Sequence, residues 1–123
     1  MSLVGATRRA TLAVVATAAD VAAFADSLGL AANGRTPTTY PIRWLTRPEV
    51  VDCVRALAAD RPGSLPVHEL QTVEATADLP LDRPLSLALE VRRTDEIHLS
   101  LDATVSDADV PLARLHAVLR LVP

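Results

Sequence analysis

The sequence predicts an α+β domain in which a curved antiparallel sheet of five to six strands wraps a central helix, with residues 1–123 forming a single domain. Three observations lead there. The C-terminal third holds three segments in which apolar and polar residues alternate. A segment around residue 50 carries apolar residues on nearly every side of a helix. The element order is a strand, a short helix, an irregular stretch, the buried helix and four strands. That order leaves one curved sheet as the only cover for the helix and for the first strand.

The alternating segments are the firmest. Leu85, Leu87, Leu89 and Val91 alternate with Ser86, Ala88, Glu90 and Arg92. Ile97, Leu99, Leu101, Ala103 and Val105 alternate with His98, Ser100, Asp102 and Thr104. Leu115, Ala117, Leu119 and Leu121 alternate with Arg114, His116, Val118 and Arg120. Period two over such lengths marks antiparallel strands with one face buried. Arg93-Thr94-Asp95-Glu96 reads as a hairpin connection, and Asp107-Ala108-Asp109 as the next turn.

Upstream, the Val-rich run 10–17 reads as a strand covered on both faces. Asp20 is expected to cap a short helix carrying Val21, Phe24, Ala25 and Leu28, which Gly29 stops. Asn33-Gly34 and Pro37 mark turns. Thr46-Arg47-Pro48-Glu49 has the form of a capping box, with Pro48 in the first turn. Val50, Val51, Cys53, Val54, Leu57 and Ala58 then cover much of the helix circumference, the pattern of a buried helix. A start at Thr39, giving one longer helix kinked at Pro48, is an open alternative.

Val67–Ala77 is strand-like but irregular. One phase aligns Glu69 and Gln71 with Val67, Val73 and Ala75; the other carries His68, Leu70, Thr72 and Glu74. Either a bulge shifts the phase, or Glu69 and Gln71 line a wet cleft.

Composition excludes several functions. All twelve basic residues are arginines, so no lysine Schiff base can form. The formal net charge is −3, and only Phe24, Tyr40 and Trp44 are aromatic. Neither a basic field nor a base-stacking platform for nucleic acid is present. Cys53, the single cysteine, reads as a small buried hydrophobe. No apolar run approaches the roughly 20 residues that span a bilayer. No signal-peptide pattern opens the chain, so a cytoplasmic location without membrane association is the expectation. No nucleophile elbow, phosphate-binding loop, dinucleotide fingerprint or zinc-ligand spacing occurs, and neither cofactor nor metal is expected.

Four segments in order carry a family resemblance: Phe24-Ala25-Asp26-Ser27-Leu28-Gly29, Thr36-Pro37-Thr38-Thr39-Tyr40-Pro41, Pro66-Val67-His68-Glu69-Leu70-Gln71 and Pro80-Leu81-Asp82-Arg83-Pro84-Leu85. Together they resemble the hotdog superfamily, and within it the non-catalytic, N-terminal type of MaoC-like dehydratase domain. The resemblance implies a pocket for acyl-CoA or acyl-carrier-protein thioesters. Amides at the central helix N-terminus would polarise the thioester carbonyl there. It also implies a dimer, with itself or with a catalytic hotdog subunit. Active hydratases of that family carry an Asp and a His in a segment of the Asp-x-Asn-Pro-x-His kind after the first helix. Here the stretch reads Leu30-Ala31-Ala32-Asn33-Gly34-Arg35, with neither. Losing such groups removes acid–base help of about 10²–10⁴-fold each. The resemblance therefore implies either the substrate-accommodating partner of a catalytic subunit or a degenerate homodimer.

The candidate site residues follow. His68 and Glu69 are adjacent and point to opposite strand faces; His68 is a structural histidine or stands at the pocket mouth. His98 and His116 take solvent-facing strand positions. Glu49 and Asp52 on the central helix are the candidates for a hotdog thioesterase, the second reading, although capping and the helix dipole also explain them. Thr39, Tyr40 and Trp44 precede that helix. Tyr40 and Trp44 form a hydrophobic plug at one end of the core, the lid or wall of a pocket, or a dimer contact. Glu69 and Gln71 complete the candidate substrate-binding set. A third reading is a structural dimerisation domain without a ligand.

Overall fold

The computed structural model describes residues 2–30 and 36–123. Five strands form one antiparallel sheet: β1 (Thr7–Val15), β2 (Leu65–Ala75), β3 (Pro84–Arg93), β4 (His98–Asp107) and β5 (Val110–Val122). Their spatial order is β1-β3-β4-β5-β2, so β1 and β2 are the edges. Helix α1 (Ala18–Ser27), a 3-10 helix (Tyr40–Thr46) and helix α2 (Pro48–Leu57) lie between β1 and β2 in the chain.

The alternation fixes the core. Leu87 stands between Leu12 and Val105, and Leu101 between Val91 and Ala117, so these cross-strand rows add apolar bands to the concave face. The inward sets of β3, β4 and β5 deduced from period two are all buried, none more than 4% exposed, except Ile97, which falls in the β3–β4 turn. Burial of that kind stabilises by about 1.5–3 kcal/mol per large side chain. Helix α2 packs against β1, β3 and the 3-10 helix.

Four local expectations change. Strand β1 is an edge strand covered on one face, with Leu12 and Val14 buried and Thr11, Ala13 and Val15 exposed. Thr17, not Asp20, caps α1; its hydroxyl accepts from the Asp20 amide at 3.1 Å, and Asp20 sits in the first turn, where the dipole favours a carboxylate. Thr17→Ala is expected to lower stability by about 1 kcal/mol, visible as an earlier urea midpoint at unchanged slope. Thr46 does not form a capping box. Its hydroxyl donates to the Arg43 carbonyl at 2.7 Å and closes the 3-10 helix, while Arg47, extended at ψ 145°, separates that helix from α2. This break also rules out one continuous helix from Thr39. Finally, α2 is not buried all round. Val50, Val54 and Leu57 form one buried stripe at helical spacing; Val51, Cys53 and Ala58 are half-buried beside it. Pro48 takes the first turn as expected, and Gly29 ends α1 at φ +72°, a region open to glycine without steric penalty.

In β2 the bulge is real. His68 pairs with Leu119 and Leu70 with Val118, so Glu69 is the extra residue. The bulge resets the phase: His68, Gln71, Val73 and Ala75 share the concave face, while Leu70, Thr72 and Glu74 face out.

A candidate acyl groove between α2 and β2

The one-sided burial of α2 has a geometric consequence. The helix lies over β1 and β3, and β5 and β2 extend beyond it. Between the helix and those strands runs an open groove of about 560 Å³. Val50, Val51 and Val54 of α2 form one wall, Leu101 and Leu119 the sheet side, and Leu65, Pro66 and His68 of β2 the far edge. Volume and apolar lining match the usual range for small-molecule sites. The polar side chains along it are Thr46, Arg55, Arg61, Ser64 and His68; among the described residues no carboxylate lines it. The Thr46 and Ser64 hydroxyls each donate to a backbone carbonyl three residues earlier, at 2.7 and 2.8 Å, which leaves their lone pairs free to accept.

The candidates from the sequence scatter around this groove. Only His68 lines it. Glu49 is exposed, 3.5 Å from Arg47, and Asp52 is exposed; neither reaches the groove. Thr39 is exposed at the start of the 3-10 helix and makes no capping bond through its side chain. Tyr40 and Trp44 do share a helical face, with ring centroids 5.7 Å apart at 88°, and Phe24 stands edge-on to Tyr40 at 5.4 Å. Both Tyr40 and Trp44 are core residues outside the groove lining, as a plug would be. Burial pushes the Tyr40 hydroxyl up, against an opposing pull from Arg43. The bulge parts Glu69 from Gln71. Gln71 faces inward opposite Ala117, and its amide nitrogen is buried with no hydrogen-bond partner among the described residues. Glu69 faces outward and reaches His98 Nε2 at 3.1 Å and Arg120 at 3.4 Å.

The solvent-facing histidines are more engaged than their positions suggested. Asp95 lies 2.9 Å from His98 Nδ1, and Asp102 lies 2.8 Å from His116 Nδ1. The Ile97 amide, joined by the His98 side chain and amide, holds the Asp95 carboxyl below the usual carboxylate range. Cys53 is half-buried, and burial pushes its thiol up, away from nucleophilic thiolate. The stretch 31–35, where the hydratase dyad would fall, lies outside the described residues.

Val51, read from the sequence only as helix core, and Arg55 and Arg61 are groove residues that the sequence candidates do not include. The signal was present for two of them: Val51, Arg55 and Ala58 fall at i, i+4 and i+7 and so share one side of α2.

No protein-family model matches the sequence, and no curated protein matches it. Solved structures do match in fold. A hot-dog-like protein from Thermanaerovibrio acidaminovorans is 17% identical at a TM-score of 0.67, with 97% of this chain and 82% of that one covered. The fluoroacetyl-CoA-specific thioesterase FlK, in a complex with fluoroacetate and CoA, is 19% identical at 0.66, with 97% and 94% covered. The HadBC (3R-hydroxyacyl-ACP dehydratase) complex from Mycobacterium tuberculosis is 10% identical at 0.70, with 97% and 98% covered. At such identities the likeness carries the fold and nothing finer, and the fold of this chain is the hotdog fold.

Proposed function

We propose that this chain binds acyl thioesters, on CoA or on an acyl-carrier protein, in the groove between α2 and β2. It acts as a substrate-binding subunit akin to MaoC-like (de)hydratases of enoyl and 3-hydroxyacyl thioesters. The observation that carries this reading is the groove itself, apolar along α2 and without a lining carboxylate among the described residues. Water activation for hydrolysis needs a base within reach of the substrate. Glu49 and Asp52 lie outside the lining, and His68, which lines the groove, has no hydrogen-bonded group to orient it as a base among the described residues; both facts favour binding over a thioesterase role.

The edge strand supports a partner. Leu65, Val67 and Leu70 of β2 are 63%, 46% and 49% exposed, and an edge carrying apolar side chains invites pairing with a second sheet. The partner is a second copy or a hotdog subunit with the acid–base pair that this sequence lacks.

Calorimetry with crotonyl-CoA tests the proposal. The purified chain is expected to bind it and to leave it unchanged, with no hydration and no free thiol released. Hydration by the chain alone would remove the non-catalytic part of the reading. Absence of binding to any acyl-CoA, alone or with a catalytic hotdog subunit, would remove all of it.

A further inference from the structure

The groove is charged in the opposite sense to the chain. The sequence has 15 acidic residues against 12 arginines, yet the groove is lined by Arg55, Arg61 and His68 and by no carboxylate among the described residues. Both arginines come from the C-terminal end of α2 and the turn after it, Arg55 in the last turn of α2 and Arg61 in the turn that leaves it. No hydrogen bond or ion pair engages Arg55 among the described residues. Arg61 has Glu96 at 3.5 Å, with both side chains well exposed, a contact too long and too wet to hold it. Arg61 also borders a second hollow of about 330 Å³ with Ser64, Leu121 and Pro123, so the basic end opens outward. Leu45 and Thr46, which precede α2 in the chain, line the groove as well. Helix α2 spans about 15 Å over its ten residues, at ~1.5 Å per residue. The groove is thus a greasy channel with one cationic mouth.

We infer that Arg55 and Arg61 read the phosphates of the carrier arm, so that the groove takes its thioester tail first. The acyl chain lies along Val50, Val51 and Leu101 toward Leu45. The phosphate-bearing arm rests at the Arg55–Arg61 end, where guanidinium donors match phosphate oxygens. This rests on the thioester-binding reading and adds orientation and the residues that select the carrier.

The experiment compares octanoyl-CoA, S-octanoyl-N-acetylcysteamine and free octanoate by calorimetry on the full chain and on an Arg55→Gln/Arg61→Gln variant. The variant is expected to bind octanoyl-CoA about tenfold or more weakly. It should bind the phosphate-free thioester within about twofold of the parent, an internal control for an intact groove. Wild-type affinity for octanoyl-CoA should fall as salt rises, and that for the phosphate-free ester should not. Arg61→Glu should weaken octanoyl-CoA further. If both thioesters bind and the variant loses neither, or both equally, the arginine assignment is overturned and the binding reading stands. Equal, arginine-dependent affinity for octanoate would assign the mouth to a carboxylate and overturn it as well. If neither thioester binds the wild-type chain, the proposed function fails and takes this inference with it.

Discussion

Arg93→Ala is expected to destabilise the chain by about 3–5 kcal/mol, the range for removing one partner of a buried ion pair. Arg93 is 0% exposed. Its guanidinium has no apolar reason to be there and is held by hydrogen-bond acceptors alone. Nε donates to the Asp95 carbonyl at 2.7 Å, Nη1 to the Leu57 carbonyl at 2.8 Å and to Asp60 at 2.6 Å, and Nη2 to the Glu96 carbonyl at 2.6 Å. One side chain thus ties the end of α2 to the β3–β4 turn. Alanine would leave three carbonyls and a carboxylate without their donors and open a cavity beside Leu57. Thermal unfolding should move down by roughly 10–25 °C, at about 3–6 °C per kcal/mol for this size. Arg93→Lys should recover little, because an ammonium cannot serve this planar set of acceptors.

The pH dependence of the same contact has a definite sign. The hydrogen bond from Arg93, aided by the Leu3 amide, holds the Asp60 carboxyl below its ordinary value. A carboxyl depressed in the folded state stabilises fully above its unfolded pKa and loses that contribution as pH falls through the folded one. Acid unfolding of the wild-type chain should therefore show a limb below the ordinary aspartate range that Asp60→Asn lacks. Stability equal for both proteins at neutral pH would contradict the tie.

Much of this fold was legible in the sequence, for a physical reason. Period-two alternation is a local code, and in β3, β4 and β5 it names the inward residues because each strand has one covered face. The edge strand β2 escaped that code. Its irregular pattern offered a bulge or a cleft, and only pairing with β5 shows Glu69 as the extra residue. The cap of α1 was misplaced by one turn because Thr17 and Asp20 are both good capping types, and the choice depends on where β1 releases the chain. Helix α2 read as buried all round because a sequence shows that residues are apolar, not which element covers them. Val51 and Ala58 border the groove instead. The site was the least legible part. Tyr40 and Trp44 are adjacent in the chain to the central helix, but their rings close on Phe24 and the core. The arginine lining of the groove depends on the turn after α2, which brings Arg61 into the same groove as Arg55. Arg93 looked like a hairpin residue of a polar connection, and its burial follows from phase: it continues the inward series after Leu85, Leu87, Leu89 and Val91.

Val51→Trp should abolish acyl-thioester binding while leaving the fold intact. Val51 is half-buried, lines the groove and is absent from the packed stripe of Val50, Val54 and Leu57. An indole there projects into open groove, so it fills the binding volume without pressing on the core, in contrast to overpacking, which costs about 1–3 kcal/mol. Thermal stability is expected to change by no more than a few degrees, and the added apolar contact can raise it. Affinity for octanoyl-CoA should fall by at least about a hundredfold, or roughly 2.7 kcal/mol, because the acyl chain and the ring compete for one space. The same loss should appear for the phosphate-free octanoyl ester. That separates this variant from the arginine substitutions, which act only on the phosphorylated carrier. The control is Val51→Ala, which widens the groove and should retain binding. Undiminished affinity of a folded Val51→Trp protein would place the ligand elsewhere on the molecule, because no acyl chain can share that stretch of α2 with an indole.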